Sequence, residues 1–185
     1  MLTEYKRQSF HIIFCLVIIS LTILLGREWT MLILLSLFFF LLFYSKINNF
    51  LPWLKKFLIK SFERDSDKNF YFKGAIYYII GMLIALSFTS NLNYSIVLIG
   101  ILGFSDGLAT VIGIHDERKI FWNSKKSVFG TLAFITSAFI VSTIFLNLYQ
   151  AIVLSVFLGF LETLPILFDD NILIPLAGII LLALI

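Results

Sequence analysis

Residues 92–114 read LNYSIVLIGILGFSDGLATVIGI, and this stretch decides the class of fold. Its length falls within the roughly 17–25 apolar residues that a membrane-spanning helix needs, and Asp106 is its only charged residue. A charged side chain is costly inside a bilayer and usually has a functional reason to be there. Residues 92–114 therefore predict a transmembrane helix that carries a functional carboxylate.

The composition of the whole chain agrees with a membrane protein. Of its 185 residues, 60% are hydrophobic and 14% charged, against about 45–50% and about 25% in soluble domains. These values exclude a soluble globular enzyme, a disordered tail and a coiled coil. Cys15 is the only cysteine, so the chain has no internal disulfide framework. The net charge of +3 does not indicate nucleic-acid binding, because the basic residues lie between apolar runs.

Apolar runs of suitable length for membrane helices recur along the chain. They predict an all-α, polytopic integral membrane protein with about seven transmembrane helices, at 10–25, 29–45, 70–89, 92–114, 128–147, 150–168 and 172–185. Residues 50–64 carry apolar side chains on one helical face and lysines on the other. This pattern predicts an additional amphipathic helix that lies in the head-group region.

The basic residues define an orientation. With seven spans, every lysine and arginine except Arg27 falls on or near the side that holds the N-terminus. Because cytoplasmic loops carry the excess of Lys and Arg, we expect the N-terminus in the cytoplasm, and in a prokaryote the protein would lie in the cell membrane.

Polar residues from distant parts of the sequence are expected near this same cytoplasmic face. At 1.5 Å per residue, Asp106 lies roughly 12 Å and Glu162 roughly 10 Å inside the membrane from that side. His11 lies one turn into the first helix. The pairs Lys125-Lys126 and Asp169-Asp170 lie at the rim.

Each acid also has a structural explanation. Asp106 could stabilise helix packing, and Glu162 could bond to backbone groups freed by a kink at Pro165. The segment Asp169-Asp170-Asn171 suits the N-cap of a helix, but carboxylates of this kind also hold Mg²⁺ together with phosphate oxygens. His11 is a candidate base, although an interfacial histidine is a common structural feature.

The basic segment 125–130 is typical of a phosphate site. Lys125, Lys126 and Ser127 precede Gly130 at the start of a helix, where backbone N–H groups favour anions. Membrane anchoring would explain the lysines alone. Gly103 and Gly107 form a GxxxG pair, and together with Ala109 and Gly113 they give a small-residue face that could let helices approach and leaves space beside Asp106. Carboxylates for a divalent cation and a basic helix start together indicate phosphoryl transfer.

Four motifs resemble, in order, those of the CTP-dependent lipid kinases, the family of dolichol, phytol and yeast-type diacylglycerol kinases. Residues 106–113 and 126–133 are similar to D-x-x-A-x-x-x-G and K-S-x-x-G-x-x-A. Residues 4–11 are similar to E-x-x-R-K-x-x-H and residues 170–175 to D-N-x-x-x-P. Gln8 departs from the third motif, where the family has Lys, and the nucleotide contacts of loop 114–124 are not carried over.

The resemblance implies a single membrane-embedded catalytic domain, residues 1–185, that transfers the γ-phosphoryl group of CTP to a membrane lipid alcohol. The acceptor would be a polyprenol or dolichol, a phytol-like prenol or diacylglycerol, with a weak preference for an isoprenoid. Mg²⁺ or another divalent cation would be the cofactor. The general base is Glu162 or His11, and the sequence leaves that choice open. The other implied contacts are Asp106, Asp170, Asp169 and Asn171 for the metal, and Lys125, Lys126, Ser127, Gly130, Arg7, Gly107 and Gly113 for CTP.

Two other functions remain open. Phosphatidate cytidylyltransferases look like relatives and also use CTP, but their C-terminal D-R-x-D-S block is missing from this sequence. A small ion-coupled transporter would use Asp106 and Glu162 as coupling acids. Its polar residues should continue toward the opposite face, whereas here they stop halfway.

Overall fold

The computed structural model describes residues 2–46, 72–166 and 168–185. Apart from one hairpin and the connecting turns, these residues are helical, which agrees with the all-α prediction. The amphipathic helix predicted over 50–64 lies outside the described residues. The helices are α1 (Leu2–Leu25), α2 (Arg27–Lys46), α3 (Lys73–Phe88), α4 (Leu92–Gly100), a π-helical turn (Ile101–Ser105), α5 (Asp106–Gly113), α6 (Val128–Phe145), α7 (Leu148–Thr163) and α8 (Asp170–Leu184).

Each of the seven predicted apolar segments contains a helix, but the helices differ in length. Among the described residues, four segments are long and apolar enough to cross a membrane: Glu4–Leu25, Arg27–Ser45, Leu92–Gly113 and Val128–Phe145. The helices Lys73–Phe88, Leu148–Thr163 and Asp170–Leu184 are apolar but shorter. The structure thus supports four candidate spans, and the total of seven stays a prediction.

The segment Leu92–Gly113 forms the centre of the helical bundle. In the most apolar 18-residue stretch of this segment, 61% of the residues are buried. The corresponding value is 28% in each of the other three candidate spans. The outer helices direct large apolar side chains away from the protein, including Leu24, Phe43 and Ile144. Such a surface is suited to lipid tails.

Short connections hold neighbouring helices together at the end of the bundle away from Asp106. Gly26 alone separates α1 from α2, and its φ of 82° is a left-handed conformation that glycine adopts without strain. The Arg27 guanidinium donates to the Thr89 carbonyl oxygen at 2.6 Å and to the Ser95 hydroxyl at 3.3 Å. Arg27, the exception to the charge asymmetry, therefore joins the start of α2 to the α3–α4 connection.

A two-stranded hairpin, which the sequence did not predict, connects α5 to α6. Strands β1 (Lys119–Ile120) and β2 (Asn123–Ser127) pair antiparallel around a turn at Phe121-Trp122. The Trp122 indole N–H donates to the Thr163 hydroxyl at 3.1 Å, and the Asn123 amide donates to the Thr163 carbonyl oxygen at 3.0 Å. These bonds fix the hairpin against the C-terminal end of α7, one residue from Glu162.

Candidate active site

A polar cavity of about 480 Å³ opens where the helices end near Asp106. Its volume lies within the range of about 300–1,000 Å³ that is usual for ligand pockets. Its walls come from α1, α3, α5, β2, the α7–α8 connection and α8. The predicted site residues among its lining are Arg7, His11, Asp106, Lys125, Lys126, Asp169, Asp170 and Asn171.

Three carboxylates form an acidic cluster, of which Asp106 and Asp170 line this cavity, whereas Glu162 is outside its described lining. Asp106 is the first residue of α5, Glu162 lies in the last turn of α7, and Asp170 is the first residue of α8. One oxygen from each carboxylate lies within 4.8 Å of the others, close enough to hold one metal ion together. The fold thus brings together acids that are 56 and 8 residues apart in sequence.

Lys126 is a basic residue that contacts two acids of this cluster. Its ammonium contacts the carboxylate of Glu162 and donates to Asp170 Oδ2 at 2.8 Å. Burial by itself lowers the pKa of a lysine, but the charges of Asp170, Glu162 and Asp106 outweigh that effect and raise the pKa of Lys126. Lys125 is exposed and lines the cavity. The two lysines therefore have different surroundings.

The cluster fits a divalent cation. Glu162 is only 4% exposed, and its Oε2 atom is buried without a hydrogen-bond partner among the described residues. A buried carboxylate oxygen in this state requires an explanation, and a bound cation supplies one. With the three acids ionised and Lys126 protonated, two negative charges remain in excess. Oxygen ligands and that excess charge suit Mg²⁺.

A π-helical turn brings Asp106 to the cavity. The turn covers Ile101–Ser105 and ends directly before Asp106. Such turns within α-helices are frequent at functional sites. Gly103 lies inside the turn, and a Cβ there would overlap Cys15 and the Tyr78 hydroxyl. Glycine at this position thus allows α1 and α3 to contact the turn.

The first helix contributes further polar residues to the cavity lining. The His11 ring packs against the Tyr78 ring with centroids 4.3 Å apart, and the Tyr78 hydroxyl donates to the His11 carbonyl oxygen at 2.8 Å. Arg7 forms an ion pair with Glu4, and the Gln8 amide donates to the same carboxylate at 3.3 Å. Arg7 and His11 are about 9% and 8% exposed, and both line the cavity.

The small residues predicted to contact the nucleotide lie at helix contacts. The Ser127 hydroxyl accepts from the Gly130 N–H at 3.1 Å and so caps α6. If either Gly113 or Gly130 carried a Cβ atom, that atom would lie within about 3 Å of the Ser127 hydroxyl oxygen. A Cβ at Gly107 would lie 2.9 Å from Ile12 of α1. None of these four predicted residues is part of the described cavity lining.

Asp169 and Asn171 have capping contacts that distinguish them from Asp170. Asp169 Oδ1 accepts from the Asn171 N–H at 3.0 Å and from the Asn171 side-chain amide at 2.8 Å. Asp169 is thus the N-cap of α8, whereas the Asp170 carboxylate contacts Lys126. Of the two adjacent acids, Asp170 belongs to the acidic cluster.

Asp116 is a positioning residue that the sequence analysis did not identify. Its carboxylate accepts from the Phe129 N–H at 2.7 Å and from the Arg118 N–H at 2.9 Å. The pKa of Asp116 is lowered, mainly by the hydrogen bond from the Phe129 N–H. The hydrogen bond from the Arg118 N–H lowers it further. Asp116 thus caps the start of α6 from a separate loop and holds the end of β2 in place. A sequence pattern does not reveal a cap supplied from 13 residues away.

We expect Asp116→Asn to lower the melting temperature by a few degrees at about pH 6 and to lose this effect in acid. An acid with a lowered native pKa stabilises the fold above its unfolded pKa of about 3.9, and this stabilisation disappears as the pH falls through the native value. The difference between wild type and variant should therefore shrink below about pH 4. Tryptophan fluorescence melts in detergent measure it. Glu117→Gln, which removes the exposed neighbouring acid, should show no such pH-dependent difference.

Gly81→Ala is expected to displace the start of α8. A Cβ at Gly81 would overlap the backbone carbonyl oxygen of Asn171, which receives no helical hydrogen bond from Pro175 because proline lacks an N–H group. We expect the melting temperature to fall by about 4 °C or more, since steric overlap with rigid backbone costs about 1–3 kcal/mol. The matched control is Gly74→Ala, at a half-buried position in the same helix. Equal melting temperatures for Gly81→Ala and wild type would contradict the expectation.

Sequence comparison finds a relative that aligns along nearly the full chain. The chain is 31% identical over 176 residues to "Uncharacterized protein MJ1137" of Methanocaldococcus jannaschii, and the alignment covers 93% of this chain and 88% of that protein. No family model matches the sequence. No solved structure matches it either.

More distant relatives occur in plants. "Probable phytol kinase, chloroplastic" of Triticum aestivum is 27% identical over 139 residues. "Probable phytol kinase 1, chloroplastic" of Glycine max is 29% identical over 139 residues. Each alignment covers 65% of this chain and 46% of the plant protein. The chain thus spans less than half the length of these relatives.

Proposed function

The chain belongs to the same family as "Uncharacterized protein MJ1137" of Methanocaldococcus jannaschii, and we propose that it is a kinase of a membrane lipid alcohol. Relatives named phytol kinase, at 25–29% identity, support a lipid kinase. The apolar helices fit a membrane protein. We further propose a phosphoryl donor, a metal cofactor and roles for individual residues.

The acidic cluster, two of whose acids line the polar cavity, carries this proposal. Asp106, Glu162 and Asp170 provide oxygen ligands for a divalent cation, and Glu162 has a buried oxygen atom without a protein partner among the described residues. Kinases depend on cations of this kind because the triphosphate and the transferred group carry concentrated negative charge. We propose Mg²⁺, held by these three acids, which when bound neutralises phosphate charge.

Basic residues on two walls of the cavity would bind the donor phosphates. Lys125 and Lys126 come from β2, and Arg7 comes from α1. Charge-assisted hydrogen bonds from such groups favour phosphate oxygens. CTP is the donor implied by the resemblance to the lipid kinases, and we retain it as part of the proposal.

His11 is our candidate for the general base. Glu162 lies in the acidic cluster and contacts Lys126, so we propose that it helps to hold Mg²⁺ and does not act as the base. His11, in contrast, lines the cavity outside the acidic cluster. A ring nitrogen of His11 would take the proton of the alcohol. The alcohol oxygen would bond to the γ-phosphorus as the bond from that phosphorus to the β,γ-bridging oxygen breaks. The products are the lipid monophosphate and the nucleoside diphosphate, and the proton passes to solvent.

We also propose that this end of the bundle faces the cytoplasm, where nucleotides are available. All lysines and arginines except Arg27 lie on or near that side in the seven-span arrangement.

A labelling experiment tests the function. Purified protein in lipid vesicles receives Mg²⁺, a panel of prenols and diacylglycerol, and CTP labelled at either the γ- or the α-phosphate. We expect label in lipid from γ-labelled CTP alone, with a prenol as acceptor. Label from α-labelled CTP would instead indicate cytidylyl transfer. Absence of label in lipid with every nucleoside triphosphate would refute the kinase proposal.

A further inference from the structure

A second, apolar groove of about 180 Å³ lies between α1, α2 and α3. Its lining includes Phe14 from α1, Leu37 and Leu41 from α2, and Ala75, Tyr78 and Ile79 from α3. The only hydroxyl among these residues belongs to Tyr78, and it donates to the His11 carbonyl oxygen. The groove therefore offers apolar contacts to an occupant.

Tyr78 separates this apolar groove from the polar cavity. Its ring lines the groove and packs against the ring of His11, which lines the cavity. On α1, Phe14 follows His11 by three residues, or roughly 4.5 Å along the helix axis. At the start of α3 the groove residues Phe72 and Ala75 flank Lys73 and Gly74 of the cavity, so the two spaces adjoin there. An occupant of both spaces needs a polar end and an apolar body.

We propose that the apolar groove holds the hydrocarbon chain of a single-chain lipid alcohol, next to its hydroxyl group. This inference rests on the proposed kinase function, because that reaction requires a hydroxyl near Asp106 and a chain in the membrane. The groove is smaller than the roughly 300–1,000 Å³ of ordinary ligand pockets, so it suits one segment of one chain. The remainder of the chain lies among the bilayer lipids. A two-chain lipid such as diacylglycerol fits this groove less well than a prenol.

Photocrosslinking tests the site without requiring catalysis. The probe is geranylgeraniol with a diazirine on the isoprene unit next to the hydroxyl, added to the full chain in vesicles without nucleotide. We expect crosslinks in peptides that contain Phe14, Leu37, Leu41 or Ala75. Unlabelled prenol should compete with the probe, and diacylglycerol should compete at least about tenfold less effectively.

Two variants on α2 provide a matched comparison. Leu37→Trp fills the groove, whereas Leu35→Trp adds the same side chain at a position that is 37% exposed and outside the groove lining. We expect Leu37→Trp to lower the crosslink yield and to raise the KM for the alcohol roughly tenfold, since small changes in hydrophobic pockets change discrimination by about 10–200-fold. The KM for the nucleotide should stay within about twofold. Ala75→Leu, from α3, should behave like Leu37→Trp.

The outcomes separate this inference from the proposed function. Crosslinks outside the groove, or equal yields from Leu37→Trp, Ala75→Leu and wild type, would overturn the inference even if the enzyme phosphorylates prenols. Competition by diacylglycerol equal to that by prenol would overturn the preference for a single chain. Groove crosslinks without phosphorylation of any alcohol would support the lipid site and refute the kinase.

Discussion

Asp106→Asn and Asp170→Asn are each expected to slow lipid phosphorylation by about 10²–10³-fold, because removal of one charge-stabilising group at a reacting centre costs about 3–4 kcal/mol. Each substitution removes one anionic ligand from the acidic cluster, whose oxygen atoms lie within 4.8 Å of one another. Metal binding should weaken in parallel. Mn²⁺, used in place of Mg²⁺ and followed by electron paramagnetic resonance, provides this second measurement without any turnover.

Asp169→Asn is the matched control for Asp170→Asn. The two acids are adjacent in sequence, but the Asp169 side chain caps α8 whereas that of Asp170 contacts Lys126. Asn caps helices about as well as Asp, so Asp169→Asn should leave folding, Mn²⁺ affinity and turnover within about twofold of wild type. If Asp169→Asn abolished Mn²⁺ binding and Asp106→Asn preserved it, the assignment of the acidic cluster as the metal site would be wrong.

The sequence predicted the helices well because an apolar run is a local property. Every one of the seven runs contains a helix, and Gly26 forms the short connection between the first two. The length of each helix was harder to predict. The run at 70–89, for example, is 20 residues long, whereas α3 covers only the 16 residues Lys73–Phe88. Hydropathy alone does not distinguish a short apolar helix packed in the bundle from a full span.

Individual site roles depend on contacts between distant segments. Lys125 and Lys126 look alike in sequence, yet Lys126 contacts acids 36 and 44 residues away. Ser127 and Gly130 match a phosphate motif, but in the structure they bond to each other at the start of α6. The hairpin that presents Lys126 to Glu162 is held by side-chain bonds to Thr163, and no periodic pattern encodes such bonds.

Close backbone approach is the feature least visible in sequence. Gly81 looks like an ordinary residue of an apolar run, but its missing Cβ makes room for the carbonyl oxygen of Asn171. Because proline lacks an N–H group, Pro175 does not donate the usual helical hydrogen bond to that oxygen. A glycine on one helix therefore packs against the first turn of another, next to Asp170. The sequence motif contains the proline without indicating this contact.

Lys126→Met is expected to destabilise the protein strongly and to lower turnover by at least about 100-fold. The substitution leaves the buried Glu162 carboxylate without its cationic partner, and breaking such a buried pair costs about 3–5 kcal/mol. Lys125→Met is the control at the adjacent, exposed position. We expect it to raise the nucleotide KM by a few-fold, as for loss of one exposed phosphate contact, and to leave the melting temperature unchanged.

Divalent cations distinguish a structural role of Lys126 from a role beside the metal. Without the lysine, the acidic cluster carries three negative charges instead of a net two, so a cation should bind it more tightly. Binding to the folded state alone raises the melting temperature in proportion to affinity and concentration. Mg²⁺ should therefore stabilise Lys126→Met more than wild type, whereas turnover should stay low because the positive charge that we propose contacts the phosphates is missing. If Mg²⁺ had the same effect on both proteins, the cation would bind away from Glu162 and Asp170, and Lys126 would serve the fold alone.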